Sequence, residues 1–222
     1  MATRTVDVAA ERLSAWLGRF ADAHGAPTVA ATPGHVVFTA PDGTVADCEV
    51  PFPPLRSSPA SPDAGLVAHV LADRRVGVLL VRLGGYAAGV FTGPTLTSSK
   101  VGSRLVHGRN AAGGQSQQRF ARRREGQARV ALQEAADVAV RILGPVRAQL
   151  DAVVTGGDRV AVDRVLADNR LASLRPLVVR RVLDVPDPRL RVLQGTPRLF
   201  RSVRVRVVDP PDTGPEHDGR HS

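Results

Sequence analysis

The chain contains a single cysteine, Cys48, in 222 residues. An intrachain disulfide framework and a cysteine-based zinc cluster are therefore excluded. It also lacks any apolar run long enough to cross a bilayer as a helix. Met1 to Val8 has no apolar stretch after a basic start, so it does not read as a secretory signal, and the expected compartment is the cytosol. Lysine is nearly missing as well: Lys100 is the only one among 30 basic residues. That bias reads as codon composition rather than as function.

What the chain does have is apolar content and positive charge. Hydrophobic residues make up 43%, enough for a real core and too much for wholesale disorder. The length fits one ordinary domain, alone or with a small appendage. Net charge is +9 and the isoelectric point about 11.3. Lys100 to Val130 holds eight basic residues (Lys100, Arg104, Arg109, Arg119, Arg122, Arg123, Arg124 and Arg129), opposed only by Glu125. The segment carries +7, which leaves +2 for the rest of the chain. A concentrated positive segment on a nearly neutral body is the footprint of a polyanion binder; on charge alone a solvated helix face fits equally.

Periodicity places the elements. Val6, Leu13, Trp16 and Phe20 are spaced as a helical stripe, which predicts a helix over 6–20. Val36 to Ala40 and Thr44 to Val50 read as strands around Pro41-Asp42-Gly43. Five prolines between 51 and 62 mark a linker, after which Ser61-Pro62-Asp63 offers a helix start. Val76 to Arg82 and Tyr86 to Phe91 read as a hairpin turned at Gly84-Gly85, followed by a third strand over Thr97 to Val106. Gly108 to Ser116 is too glycine-rich for regular structure. A long helix is predicted from Gln117 to Leu143, stopped by Gly144-Pro145. Ala152 to Thr155 is a strand that Gly156-Gly157-Asp158 turns into a helix, with Asp158 as its cap. Leu177 to Val185 and Phe200 to Val208 are the last strands, and the polar tail 209–222 is expected to be disordered. Strands mixed with helices imply an α/β sheet with helices on its faces.

Most candidate chemistry has a plain structural reading. Cys48 sits in a strand pattern with no histidine to activate it. The histidines at 24, 35, 69, 107, 217 and 221 show no metal-ligand spacing. Thr155 to Asp158 lacks the phosphate-loop patterns, and Ser116 has no visible base partner. What stands apart is Gly108 to Arg124, GRNAAGGQSQQRFARRR. Paired glycines let a backbone approach a substrate closely. The Gln115 side chain offers an acceptor and two donors, and its backbone N–H can donate to developing negative charge. Arg119, Arg122 and Arg123 fall at i, i+3 and i+4, on one helix face. The segment reads either as a neutral tip on an arginine-studded helix or as a glycine turn before an exposed helix.

The residues Gly113, Gly114, Gln115 and Ser116, followed by Arg119, Phe120, Ala121, Arg122 and Arg124, resemble the middle domain of eukaryotic and archaeal class-I peptide-chain release factors. Val78 to Val90 resembles the hairpin of that family before its loop, and Ala152 to Asp158 the strand and turn after its long helix. The resemblance covers about 62–195. No decoding domain is recognisable before it, so action independent of stop codons is expected. In this the chain is similar to the Vms-like release factor group, in its actinobacterial branch. The resemblance implies an RNase H-like mixed β-sheet with flanking helices over 61–208; it does not extend to 1–60, which reads as an accessory helix and hairpin. It implies hydrolysis of peptidyl-tRNA at the peptidyl-transferase centre of the large ribosomal subunit. Gln115, Gly113 and Gly114 would be catalytic, and Lys100, Arg104, Arg109, Arg119, Arg122, Arg123 and Arg124 would contact RNA. No metal or organic cofactor and no membrane are implied. Cleavage of the tRNA near its 3′ end, or ribosome binding without catalysis, are the rival readings.

Phosphate-driven binding has a measurable signature. If about five arginines each neutralise one phosphate, affinity should fall with a log–log salt slope of roughly −3 to −5. Replacing Arg122 and Arg123 with Ala is expected to flatten that slope without unfolding the chain. A salt titration that gives both proteins the same slope removes this helix from the interface.

Overall fold

A computed structural model describes the backbone of residues 2–55, 62–82, 85–103 and 116–210, and their side chains except at 62–64 and 116–125. The chain divides into two compact units, one built from 1–72 with 201–222 and the other from 73–200.

The first unit is an antiparallel five-stranded sheet with two helices. Its strands are β1 (Thr3–Val8), β2 (Thr28–Ala31), β3 (His35–Thr39), β4 (Val45–Glu49) and β10 (Val203–Val208), in the order β1-β10-β4-β3-β2. The helix expected over 6–20 begins later: β1 is followed by a 3-10 turn at Ala10–Arg12 and then α1 (Leu13–His24). β-branched residues at 3, 5, 6 and 8 favour the strand, and pairing of Val6 with Val205 and Val8 with Val203 fixes its register. The sequence predicts one domain over 61–208, whereas β10 returns to pair with both β1 and β4. Its alternating Val-Arg pattern buries Val203, Val205 and Val207 against Val36, Phe38, Ala46 and Cys48. α1 contributes Leu13 and Phe20 to this core, and α2 (Pro62–Leu71) contributes Leu66 and Val70. The expected disorder of the tail falls, from residue 211 on, outside the described residues.

The second unit holds a mixed sheet in the order β7-β6-β5-β8-β9, made of β5 (Arg75–Arg82), β6 (Gly85–Thr92), β7 (Thr95–Ser103), β8 (Ala152–Gly157) and β9 (Val178–Leu183). β5, β6 and β7 form an antiparallel meander; β8 and β9 continue it in parallel with β5. This is the RNase H-like arrangement with flanking helices. β5 is buried from Val76 to Val81, as a central strand covered on both faces must be. On one face Leu79, Val81, Val90 and Val153 pack with α3 (Ser116–Leu143) and α4 (Arg159–Leu166). On the other, α5 (Leu190–Gly195) lies over β6, and Phe200 of α6 (Pro197–Phe200) meets the edge of the Phe91 ring at 5.7 Å.

Two glycines make opposite demands. Gly157 has φ +95°, and a Cβ there would run into the carbonyl oxygen of Val81. Gly126 lies within α3 with nothing within 4 Å of a would-be Cβ. Gly157→Ala is expected to lower stability by about 1–3 kcal/mol, since backbone strain and a backbone clash coincide. Gly126→Ala should raise it by about 0.5–1 kcal/mol through helix propensity alone. Urea unfolding of the two variants checks both signs.

Candidate functional site

The helix α3 is longer than the sheet that holds it. Its 28 residues span about 42 Å, whereas the eight-residue strand β6 spans about 27 Å. Among the described side chains of α3, the buried ones are Ala135, Ala136, Val138, Ala139 and Leu143, all in its last third. Three alanines in that set keep the helix axis close to β6, on which it packs. Ser116, where the helix starts, is 19 residues before Ala135, about 28 Å along the axis.

Polar contacts fasten the gripped part. The Tyr86 hydroxyl donates to Glu134 at 3.2 Å, and Gly102 on β7 leaves the space that the Tyr86 ring fills. Arg170 donates to Asp137 of α3 at 2.7 Å and reaches both carboxylate oxygens of Asp168, the residue before the 3-10 helix Asn169–Leu177. Hydrogen bonds from the Arg170 side chain and backbone hold the Asp168 carboxyl down at about 2. The Asp137 carboxyl is lowered by Arg170 and then by Gln133. No sequence signal announced this clasp, because its partners are 33 residues apart and exposed.

Of the residues expected to act, Lys100 is exposed on β7, opposite Ala88 of β6. Arg119, Arg122, Arg123 and Arg124 lie on the first turns of α3, where the helical backbone gives 119, 122 and 123 a common face. Arg104, Arg109, Gly113, Gly114 and Gln115 are outside the described residues, in the connection from Ser103 of β7 to Ser116 of α3. Cys48 is fully buried, and burial pushes its thiol up to about 12, far from a reactive thiolate. Asp158 accepts from the Ala161 N–H at 3.0 Å, so Thr155 to Asp158 is a capped strand-to-helix connection. Among the described residues no cluster of His, Cys, Asp or Glu could hold a metal, and no helix is long and apolar enough to cross a membrane.

Residues 74–206, more than half of the chain, match the family described as Actinobacteria/chloroflexi VLRF1 release factor. No curated protein matches. Among solved structures, the archaeal translation termination factor aRF1 aligns at 16% identity with a TM-score of 0.40, covering 70% of this chain and 46% of that one. The structure titled Vms1 mitochondrial localization core aligns at 10% identity with a TM-score of 0.44, covering 77% and 75%. The chain thus spans less than half the length of the archaeal termination factor.

The clasp on α3 can be read by titration. Arg170→Ala should return the Asp168 carboxyl from about 2 toward its ordinary 3.8, visible in carboxyl NMR shifts. A depressed carboxyl pKa stabilises the fold above the unfolded value and ceases to do so as pH falls through the folded one. The thermal stability gap between wild type and Arg170→Ala should therefore be flat at neutral pH and close between pH 3.8 and about 2. A gap that persists at pH 2 would assign the loss to packing rather than to charge.

Proposed function

The chain belongs to the Actinobacteria/chloroflexi VLRF1 release factor family, and on that premise we propose that it frees nascent chains from stalled ribosomes or large subunits by hydrolysing the peptidyl-tRNA ester. The observation that carries this reading is the placement of Gly113-Gly114-Gln115 inside the matched segment, immediately before a 28-residue helix whose first turns bear Arg119, Arg122, Arg123 and Arg124. In this reading the arginines dock on RNA phosphates while α3, gripped at its far end, carries Gln115 into the peptidyl-transferase centre. A water attacks the ester carbonyl carbon, and the tetrahedral oxyanion accepts a hydrogen bond from the Gln115 N–H. Collapse breaks the bond to the tRNA oxygen, which takes a proton and leaves as a ribose hydroxyl, while the peptide leaves as a carboxylic acid.

A glutamine is neutral at every pH the cell uses, so it is a poor general base. Its contribution is to position the water and to present a dipole where charge develops, with RNA groups supplying the proton path. Catalysis is assigned to the second unit, and the first unit with β10 to an accessory role. The reaction as written requires no metal. In this reading release is independent of stop codons, and the substrate is peptidyl-tRNA on a stalled complex.

Two substitutions divide the labour within Gln115. Gln115→Ala removes the side-chain amide and keeps the backbone N–H; Gln115→Pro removes both and constrains φ. Loss of one preorganised donor to an oxyanion costs on the order of a hundred- to a thousandfold in rate. Stabilisation by the N–H predicts appreciable release by the Ala variant and almost none by the Pro variant; a water held by the side chain predicts that both are crippled. Release from stalled large-subunit complexes should be measured beside binding, with the 3′ end of the freed tRNA mapped. Normal binding and wild-type release by both variants would leave a non-catalytic ribosome-binding module, and a shortened tRNA would mean cleavage of RNA instead.

A further inference from the structure

Between α3 and α4, beside the ends of β5 and β6, lies a cavity of about 100 Å³. Val81, Ala128, Leu132 and Ala161 give it an apolar floor. Arg82, Arg164 and Val160 stand at its mouth. Three features there are poorly explained by the fold. Among the described residues the buried Nε of Arg82 has no hydrogen-bond partner, and the guanidinium pairs with Asp184 at 3.4 Å, whose side chain is fully exposed. Arg164 has no partner among the described residues. Val160, in the first turn of α4 and two residues after its cap Asp158, leaves 61% of its surface in water. Asp158 also borders the cavity, but its carboxylate is engaged by the Ala161 N–H.

Charge selects the class of occupant. Residues 73–200 contain 22 basic and 10 acidic side chains, a net charge of +12, whereas the rest of the chain carries −3. On α3 the cavity shares a helix face with Arg124. Ala128 is four residues past Arg124, about 6 Å along the axis, which is within one Debye length at physiological salt. Arg119, Arg122 and Arg123 share the opposite face of the helix, so a phosphate backbone that meets Arg124 is the one that would reach Arg82 and Arg164. An apolar recess flanked by two guanidinium groups suits an unstacked nucleobase, with its phosphate on Arg164 and its ring against the Arg82 guanidinium plane.

We propose that this groove is a second RNA contact, taking one unpaired nucleotide of the ribosome-bound complex. The inference rests on the function proposed above and extends its RNA surface from the helix to the body of the second unit. The groove holds the end of α3 nearest the sheet in register on the RNA, while the helix tip delivers Gln115.

The test uses the full chain and two probes: fluorescein-labelled oligouridine, and large subunits carrying peptidyl-tRNA. Arg164→Glu should weaken binding to both about tenfold, and Arg164→Ala should make the salt slope less steep by roughly 1. Val160→Asp places a negative charge at the same mouth on an exposed position and should weaken binding similarly, while Val160→Lys should not. Unchanged melting temperatures separate these effects from misfolding. Benzoylphenylalanine in place of Val160 should crosslink to RNA in large-subunit complexes; crosslinks confined to ribosomal protein overturn the proposal. Wild-type binding by Arg164→Glu and Val160→Asp overturns it too. If Arg122→Ala with Arg123→Ala still weakens binding in that case, the proposed function survives its loss. Absence of wild-type binding to either probe would reject both.

Discussion

The packing of Ala135, Ala136 and Ala139 against β6 is the contact on which the rest of the second unit depends. Small side chains allow a helix to lie close on a sheet, so a short stretch of it can be held firmly. Leu143 anchors the same helix deeper, beside Gly77 of β5, where a Cβ would come within 3.1 Å of it. With its last third fixed in this way, α3 can run on well past the end of β6. The Tyr86–Glu134 and Arg170–Asp137 contacts lie at the near end of that overhang and resist rotation of the helix about its own axis. Rotation matters to the proposed function because the face shared by 119, 122 and 123 would meet RNA only for one rotational setting.

The two units divide their chemistry as well as their sheets. The first carries ion pairs across one sheet face, Arg204 with Asp7 and Arg206 with Asp47, and on the same face His35 is hydrogen-bonded to Asp47. These charges satisfy one another. The second unit holds a large excess of arginine, and among the described residues Arg164 has no partner. Exposed ion pairs contribute little to stability, so an unpaired excess is not easily explained as a stabilising device. It does raise the local potential that a polyanion meets, and it speeds that encounter.

Much of the second unit was legible in the sequence because its signals are local. β5 reads from a run of β-branched residues, the hairpin from Gly84-Gly85, and α3 from a 3.6-residue stripe in its second half, in a helix predicted to start one residue after the observed one. Asp158 was legible as a cap because capping needs only a carboxylate three residues ahead of a free N–H. The first unit was less legible. β1 was absorbed into the following helix since Val6 and Leu13 happen to suit a helical spacing, and β2 is a four-residue edge strand without a buried side chain. β10 was read as a strand, but its sheet was not, because pairing across some 150 residues leaves no trace in local periodicity. The candidate site divides along the same line. The glutamine loop and the arginines are contiguous in sequence, whereas Arg82, Arg164 and Arg170 gain meaning only when β5, α3 and α4 come together.

The first turns of α3 also place a cost on the free protein that a polyanion removes. Arg119, Arg122 and Arg123 share a face, and like charges at i, i+3 and i+4 oppose helix formation by a few tenths of a kcal/mol per pair. Only Glu125 is at hand to offset them. They also lie toward the helix N-terminus, the end at which the macrodipole disfavours positive charge. A row of phosphates reverses both terms, since it neutralises the repulsion and places negative charge where the dipole prefers it. The residues that weaken the overhanging helix in isolation are therefore those that would stiffen it on RNA. In the proposed function the arm that carries Gln115 becomes most rigid on the surface where its position matters, and the folded body has to supply only the grip at the other end.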